Sequence, residues 1–403
     1  MKTMKKILSL ALVLTMALGT VASCPIAATA EEISGASLAS GAASDSAFAI
    51  ASWVSESAFA GSLTPAHGEV TVNGQAVTLG DGIELAAGQT LSFDVAIETA
   101  GDYKIGLRYM PTDALYTDLL FNYTCGEAGD VVSLPALWAD ANTTYATDRL
   151  GNELIPDQKA VDSPYGGFLQ DYRNTDSAAL MLSLAEGSQH FTLSPQAQVV
   201  KIYGIYVVPV QDTVDYQEYL RAHEDAPRYD KMLSFEAERY SIKSDSFIRA
   251  TSKKIAALTP YDTYHKLLNV LDESSWSSAG QKILWEFTVP QDGLYAIGVR
   301  YLQNSDTDKP VYRKIEIDGT VPFAEWEALS FSGTKTGKYT NKTLNAGEEP
   351  AYLYLTAGAH TLAMTVTMGP LKAVYDEIVA LMDDINALGM DIQKITAGQT
   401  DLN

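Results

Sequence analysis

Apolar and polar residues alternate along two stretches of the chain that are spelled almost alike. Gly88-Gln89 leads into Leu91, Phe93, Val95 and Ile97, then Gly101, Tyr103, Ile105, Gly106, Arg108 and Tyr109. Gly280-Gln281 leads into Ile283, Trp285, Phe287 and Val289, then Gly293, Tyr295, Ile297, Gly298, Arg300 and Tyr301. Each pair is offset by 192 residues, and the period of two is that of a half-buried β-hairpin. A second echo closes each stretch, with Leu182, Leu184, Gly187 and Phe191 set against Leu353, Leu355, Gly358 and Leu362, 171 residues apart. The pattern predicts an all-β chain of two related antiparallel β-sandwich domains in tandem, residues 47–210 and 230–369.

Turn chemistry supports the same reading. Asn73-Gly74 sits between short alternating runs and supplies the positive φ angles of a two-residue hairpin turn, and Asp318-Gly319 does so after the run from Val311 to Ile317. The first unit carries about twenty more residues between its hairpin and its closing strands. They fall in a long segment, 126–176, that contains Trp138, Tyr145, Tyr165 and Tyr172 and reads as a functional or mobile loop system. Residues 211–229 read as a short helical connector stopped by Pro227. After Gly369-Pro370 the period changes: Leu371, Val374, Ile378, Leu381, Ile385, Leu388, Ile392 and Ile395 step by three and four, so residues 370–403 are expected to form a C-terminal α-helix with coiled-coil spacing. Such a stripe packs either on its own sandwich or on another domain or chain.

The N-terminus bears on compartment. Lys2, Lys5 and Lys6 precede an apolar run from Ile7 to Val21, the plan of a signal peptide over residues 1–23 and too short for a comfortable membrane span. Val21-Ala22-Ser23-Cys24 resembles a lipobox, which makes Cys24 the lipidation site of a cell-surface lipoprotein touching the membrane only through its lipid anchor. A cut after Ala28-Thr29-Ala30 gives a secreted protein instead. Residues 24–46, rich in Ala, Ser and Gly, read as a flexible tether. The net charge of −22 excludes sequence-independent nucleic-acid binding, which needs a basic face, and otherwise reads as solubility outside the cell.

The sequence has no Gly-x-Ser-x-Gly elbow, His-Glu-x-x-His helix, phosphate-cradling Gly loop or dinucleotide fingerprint, and its five histidines lack metal-ligand spacing. No enzyme activity is expected. His190 and His360, at turns into strands, are expected to be surface or hydrogen-bonding residues.

The connector and second unit resemble part of the large extracellular solute-binding lipoproteins of ABC transporters from Gram-positive gut-type bacteria. The matching residues are Asp215-Tyr216-Gln217-Glu218-Tyr219-Leu220, His223, Asp225-Ala226-Pro227, Glu236-Ala237-Glu238, Trp276, Val289-Pro290, Asp292-Gly293-Leu294-Tyr295, Ile317-Asp318-Gly319 and Val321-Pro322-Phe323, and the likeness runs through Leu355-Thr356, Gly358 and His360 into the terminal helix. Each sandwich also looks like the jelly-roll, galactose-binding-like carbohydrate-binding modules. The resemblance implies a non-catalytic accessory of sugar or oligosaccharide uptake, with a carbohydrate ligand and, as partners, a transporter permease or a separate solute-binding domain. The α/β lobes that clasp sugar in those relatives would follow Asn403, so the expectation is either a truncated or split receptor or sandwiches acting alone, among them a structural or protein-interaction spacer on the cell surface.

Sugar recognition needs flat aromatic faces and amide or carboxylate partners for hydroxyls. The candidates for it are Tyr261, Tyr264 and Trp276 before the second hairpin, and Trp326, Tyr339 and Asn341 after Asp318-Gly319. Trp138, Tyr165 and Tyr172 are further candidates in the first unit, whereas Trp285, alternating with Phe287, is expected in the core. Glu236 and Glu238 are expected on one face of a strand. The resemblance implies that they help to hold a structural calcium, the alternative being two exposed glutamates on a strand, and the usual partner acid of the final strand is missing from residues 361–368.

Overall fold

The computed structural model describes residues 11–16, 47–66, 69–112, 117–126, 128–142, 144–172, 176, 178–304, 308–334 and 338–397. Cys24, both expected cleavage points and most of the expected leader and tether lie outside the described residues. After β1 (Ala11–Met16) and the short helix α1 (Ala47–Ala51) come the strands β2 (Ile83–Leu85), β3 (Leu91–Ile97), β4 (Gly101–Pro111), β5 (Leu119–Cys125) and β6 (Ala128–Leu134). They are followed by β7 (Trp138–Asp140), β8 (Gln158–Ala160), β9 (Tyr165–Phe168), β10 (Leu182–Leu184), β11 (Gly187–Pro195) and β12 (Val200–Pro209). Helix α2 (Tyr216–Arg221) leads into β13 (Leu233–Ser234), β14 (Ile242–Lys243), β15 (Lys282–Val289), β16 (Gly293–Tyr295), β17 (Ile297–Leu302) and β18 (Val311–Ile317). The series closes with β19 (Leu329–Phe331), β20 (Thr340–Thr343), β21 (Leu353–Leu355), β22 (Gly358–Thr367) and α3 (Leu371–Thr396).

Antiparallel sheets carry the chain. One sheet of the first unit includes β6, β5, β11 and β3 in that order, and the facing sheet runs β9, β4, β12, β2. The second unit answers with β15, β22, β18, β19 in one sheet and β13, β1, β17, β20 in the other. The register is the same in both. Ile97 pairs with Gly187 and Phe93 with Phe191 in the first unit, while Val289 pairs with Gly358 and Trp285 with Leu362 in the second. Asn73 and Asp318 have positive φ (51° and 50°), and so do the glycines after them, as the hairpin turns require.

Each unit has its own core because alternate residues face inward. Leu91, Phe93, Val95 and Ile97 are buried in one core, and Ile283, Trp285, Phe287 and Val289 in the other. Burying a side chain of this kind stabilises by about 1.5–3 kcal/mol. The outer face of the second unit's larger sheet is not solvated, since Ile242, Leu284 and Ala363 pack into the first core.

The long segment of the first unit is no free loop system. Its strands β7 and β8 extend the second unit's sheet, with Trp138 of β7 paired to Lys243 of β14. This creates one seven-stranded sheet, β8-β7-β14-β15-β22-β18-β19, drawn from both units. At the seam Asp140 Oδ1 accepts from the Tyr240 hydroxyl (2.9 Å) and lies 3.4 Å from Lys243 Nζ. The turn at Gly319 adds a further contact, because a Cβ there would meet the backbone of Ser52 and Ser55 at 2.6–2.7 Å.

Asp215 caps α2 by accepting from the Glu218 N–H (2.7 Å). The Tyr216 and Tyr219 hydroxyls accept from the backbone N–H groups of Tyr352 and Tyr354, which fixes the connector to the second unit. Helix α3 differs: none of its residues is buried, and its eight stripe residues are 40–61% exposed. It does not pack on its own sandwich. No described helix is long and apolar enough to cross a membrane.

Candidate functional site

Two of the expected ligand aromatics belong to the core instead. Trp276 and Trp326 are fully buried. The Trp276 indole N–H donates to the Gln281 carbonyl (3.2 Å), and Trp326 donates to the Asn345 carbonyl (3.1 Å). Trp276 stacks edge-on against Trp285, with the Arg313 guanidinium 4.6 Å from its ring centre. A large indole gains most from burial once its N–H has a partner, so these two outrank the loops they sit in. Of the first-unit candidates, Trp138 and Tyr165 are also buried, whereas Tyr172 is exposed.

The other expected residues lie on the second unit's outer surface. Tyr264 is 87% exposed and Tyr261 43%. Tyr339 is half-buried against the cluster of Leu258 and Val270, which places it beneath the loop that carries the two exposed tyrosines. Asn341 accepts from Arg300 Nε (3.0 Å), and Arg300 in turn donates to the Ala257 carbonyl of the same loop. Four of the six expected residues therefore belong to the surface around the loop 253–265.

That loop is held in place from within. Asp262 Oδ1 accepts from the N–H groups of Tyr264 (2.6 Å) and His265 (2.7 Å), and the Asp262 carboxylate lies 3.2 Å from the His265 ring. The bonds from His265 and Tyr264 lower the Asp262 carboxyl to about 2. Lys254 Nζ donates to the carbonyls of Asp262, Thr263 and His265. The Asn269 amide ties the carbonyls of Lys253 and Pro260 together. The long segment of the first unit grips the loop from the other side. Asn152 accepts from the Lys266 N–H (2.8 Å), Glu153 accepts from the Leu268 N–H (2.6 Å), and Tyr145 donates to the Glu238 carbonyl (2.8 Å). Tyr264 is thus an exposed ring on a preorganised backbone, the arrangement in which stacking loses least to ordering. Lys254, Asp262 and Arg300 were missed in the sequence, although an Asp two residues before Tyr264 is the spelling of an Asx-turn.

Glu236 and Glu238 do not lie on a strand. They follow β13 in a turn, closed by the Arg239 N–H donating to the Glu236 carbonyl (3.1 Å). Glu238 is fully buried, and neither carboxylate oxygen has a hydrogen-bond partner beyond its own residue's N–H. Burial, and then the neighbouring Glu236 charge, push its carboxyl well above the usual range. Glu236 is also raised, by burial, with Thr259 donating to it and Arg300 opposing. An orphaned buried oxygen pair beside a second carboxylate fits a hard cation. Calcium takes roughly six to eight oxygens. Among the described residues no group of three or more His, Cys, Asp or Glu converges, so main-chain carbonyls or water must complete the shell. Glu238 and Glu236 are the residues that would hold the ion, whose charge would keep Glu238 ionised.

A cleft of about 1080 Å3 opens between the units, lined by Trp53, Lys104, Phe168, Lys282, Lys314 and Glu316 among others. Lys282 Nζ lies 2.6 Å from Glu316 and donates to the Trp53 carbonyl (2.8 Å). Burial works against charge on Glu316, yet Lys282 and Lys314 hold it below the usual carboxylate range. These groups are matched to each other, so the cleft reads as a polar seam. His190 and His360 hydrogen-bond Asp94 (2.8 Å) and Asp318 (2.7 Å).

No family model matches the chain, and no curated protein matches it. Among solved structures it is similar to an isomalto-dextranase of Arthrobacter globiformis T6 complexed with panose, at 12% identity over 72% of this chain and 34% of that one, with a TM-score of 0.21. A GH115 4-O-methyl-alpha-glucuronidase with specificity for decorated arabinogalactans gives 11% identity over 48% of this chain and 20% of that one, TM-score 0.19. The catalytic unit of a GH87 alpha-1,3-glucanase from Streptomyces thermodiastaticus strain HF3-3 gives 12% identity over 34% and 23%, TM-score 0.19. The chain spans about a third or less of the length of these structures. Superpositions this loose assign it neither a fold nor an activity.

Proposed function

We propose that the chain is a non-catalytic, exported carbohydrate-binding protein whose ligand stacks on Tyr264 and Tyr261, with Asn341 and Arg300 beside them for hydroxyl groups. The observation that carries this reading is the loop 253–265, whose backbone is fixed by Lys254, Asp262 and Asn269 while the Tyr264 ring stands in solvent. An exposed ring on a rigid mount serves the C–H face of a sugar. The resemblance of residues 211–395 to solute-binding lipoproteins supports a place beside sugar uptake at the cell surface, either on a lipid anchor at Cys24 or as a secreted form. Calorimetric titration of a glycan panel onto the full chain tests it. Heat from at least one glycan, lost in Tyr264→Ala, is expected; no heat from any glycan overturns it.

The exposed stripe of α3 favours a second reading, an interaction or spacer module that pairs with a second copy of itself. Ile378, Ile385 and Ile392 recur every seven residues, with Leu381, Leu388 and Ile395 between them, the spacing of a two-stranded parallel coil. Sedimentation of the full chain distinguishes a dimer from a monomer.

A further inference from the structure

The two units differ in where one strand comes from. In the first, β4 lies between β9 and the unit's own closing strand β12, which in turn carries β2. Ile105, Leu107 and Tyr109 of β4 pair with Val207, Ile205 and Ile202 of β12. In the second unit the corresponding Ile297, Val299 and Tyr301 of β17 pair instead with Met16, Leu14 and Leu12 of β1. The chain leaving β22 turns at Gly369 and Pro370 into α3, so no strand that follows β22 among the described residues takes this place. Among the described residues β13 has β1 as its only partner strand. The position is structural: in the first unit Val200, Ile202, Ile205 and Val207 of β12 are each 1% or less exposed and help to close the core. In the second unit Ile297, Val299 and Tyr301 are buried too, at 0–4% exposure, and need a neighbour on that side.

We propose that the edge of Ile297–Leu302 is a strand-acceptor site. β1 holds it before export, and after leader removal an extended strand of a partner polypeptide replaces it. This rests on the export reading, under which residues 11–16 leave with the leader. The first unit supplies the recognition chemistry: an antiparallel segment of at least six residues with aliphatic, largely β-branched side chains at alternate positions, as on β12. Its backbone groups would satisfy those of β17, which cannot stay unpaired beside a closed core without cost. The described strands of this chain are each paired within their own sheets, and the donor assigned here is a different polypeptide.

The test compares the cytosolic precursor with the exported protein. Intact mass reads whether residues 1–23 are gone, which tests the export reading alone. Hydrogen exchange at those amides of residues 297–302 that face β1, and not β20, reads the slot. These amides are expected to be protected in the precursor and to exchange at least tenfold faster in the precursor variant Leu14→Pro and in the exported protein when no second polypeptide accompanies it. Residues 105–109 serve as the internal control and are expected to stay unchanged. A lysine-flanked synthetic peptide of the sequence Val200–Pro209 is expected to restore protection, and the same peptide with proline in place of Ile205 is not. A co-purifying polypeptide whose removal opens the same amides supports the proposal. Protection in a leaderless, single-polypeptide form, or a peptide that leaves exchange unchanged, overturns it.

Discussion

Lys243 Nζ lies 3.4 Å from Asp140 Oδ1, and both side chains are buried where β7 of the first unit joins β14 of the second. The ammonium also donates to the Tyr240 hydroxyl (3.2 Å) and to the Ile248 carbonyl. Removing the acid leaves a buried cation without its counter-charge. Asp140→Ala is expected to cost about 3–5 kcal/mol of unfolding free energy in urea titrations, with a large part recovered in Asp140→Leu combined with Lys243→Met.

The same lysine gives a pH dependence with a definite sign. Burial lowers its pKa to about 8 from 10.5, against the pull of Asp140. Between those values the unfolded chain binds more protons than the folded one, so this group's contribution makes stability rise with pH from about 8 to 10.5. Urea midpoints across that window are expected to climb more steeply in the parent than in Lys243→Met.

Glu238 works in the opposite direction. Its carboxyl titrates above the unfolded value of 4.5, so its contribution is fully present below that value and is lost as pH rises towards the folded one. Thermal melts of Glu238→Gln are expected to show a smaller loss between pH 4.5 and neutrality. With the calcium assignment, millimolar Ca2+ at neutral pH raises the melting temperature of the parent and leaves that of Glu238→Gln unmoved.

Aromatic substitutions separate binding from packing. Tyr264→Ala and Tyr261→Ala are expected to weaken glycan binding at least tenfold in calorimetry with melting temperatures unchanged. Trp276→Ala and Trp326→Ala are expected to cost about 3–5 kcal/mol of stability, read by urea titration, because each empties a filled core position.

If α3 pairs with a second copy, Ile385→Asp, in the middle of the stripe, converts the dimer to a monomer in sedimentation runs while circular dichroism keeps its strand signal.

The hairpins, their turns and the inward row Leu91, Phe93, Val95 and Ile97 were legible because a period of two and a positive φ leave direct marks on residue choice. The origin of β7 and β8 was not, since three-residue strands such as Trp138–Asp140 are too short to show a period. Trp276 and Trp326 misled because an aromatic among Ser, Gly and Asp residues is spelled the same whether it faces water or fills a core. Tyr261 and Tyr264 could be named in advance, but the bonds from Lys254 and Asp262 that hold their loop, and the grip of Asn152 and Glu153 more than a hundred residues away, depend on contacts no local pattern records.

The sheet shared between the units bears on how the molecule carries load. Tension applied between the N-terminal end of the first unit and α3 would not draw the sandwiches apart like beads at the connector. It would first have to part β7 from β14 along the seam, so the two units are expected to give way together in one step.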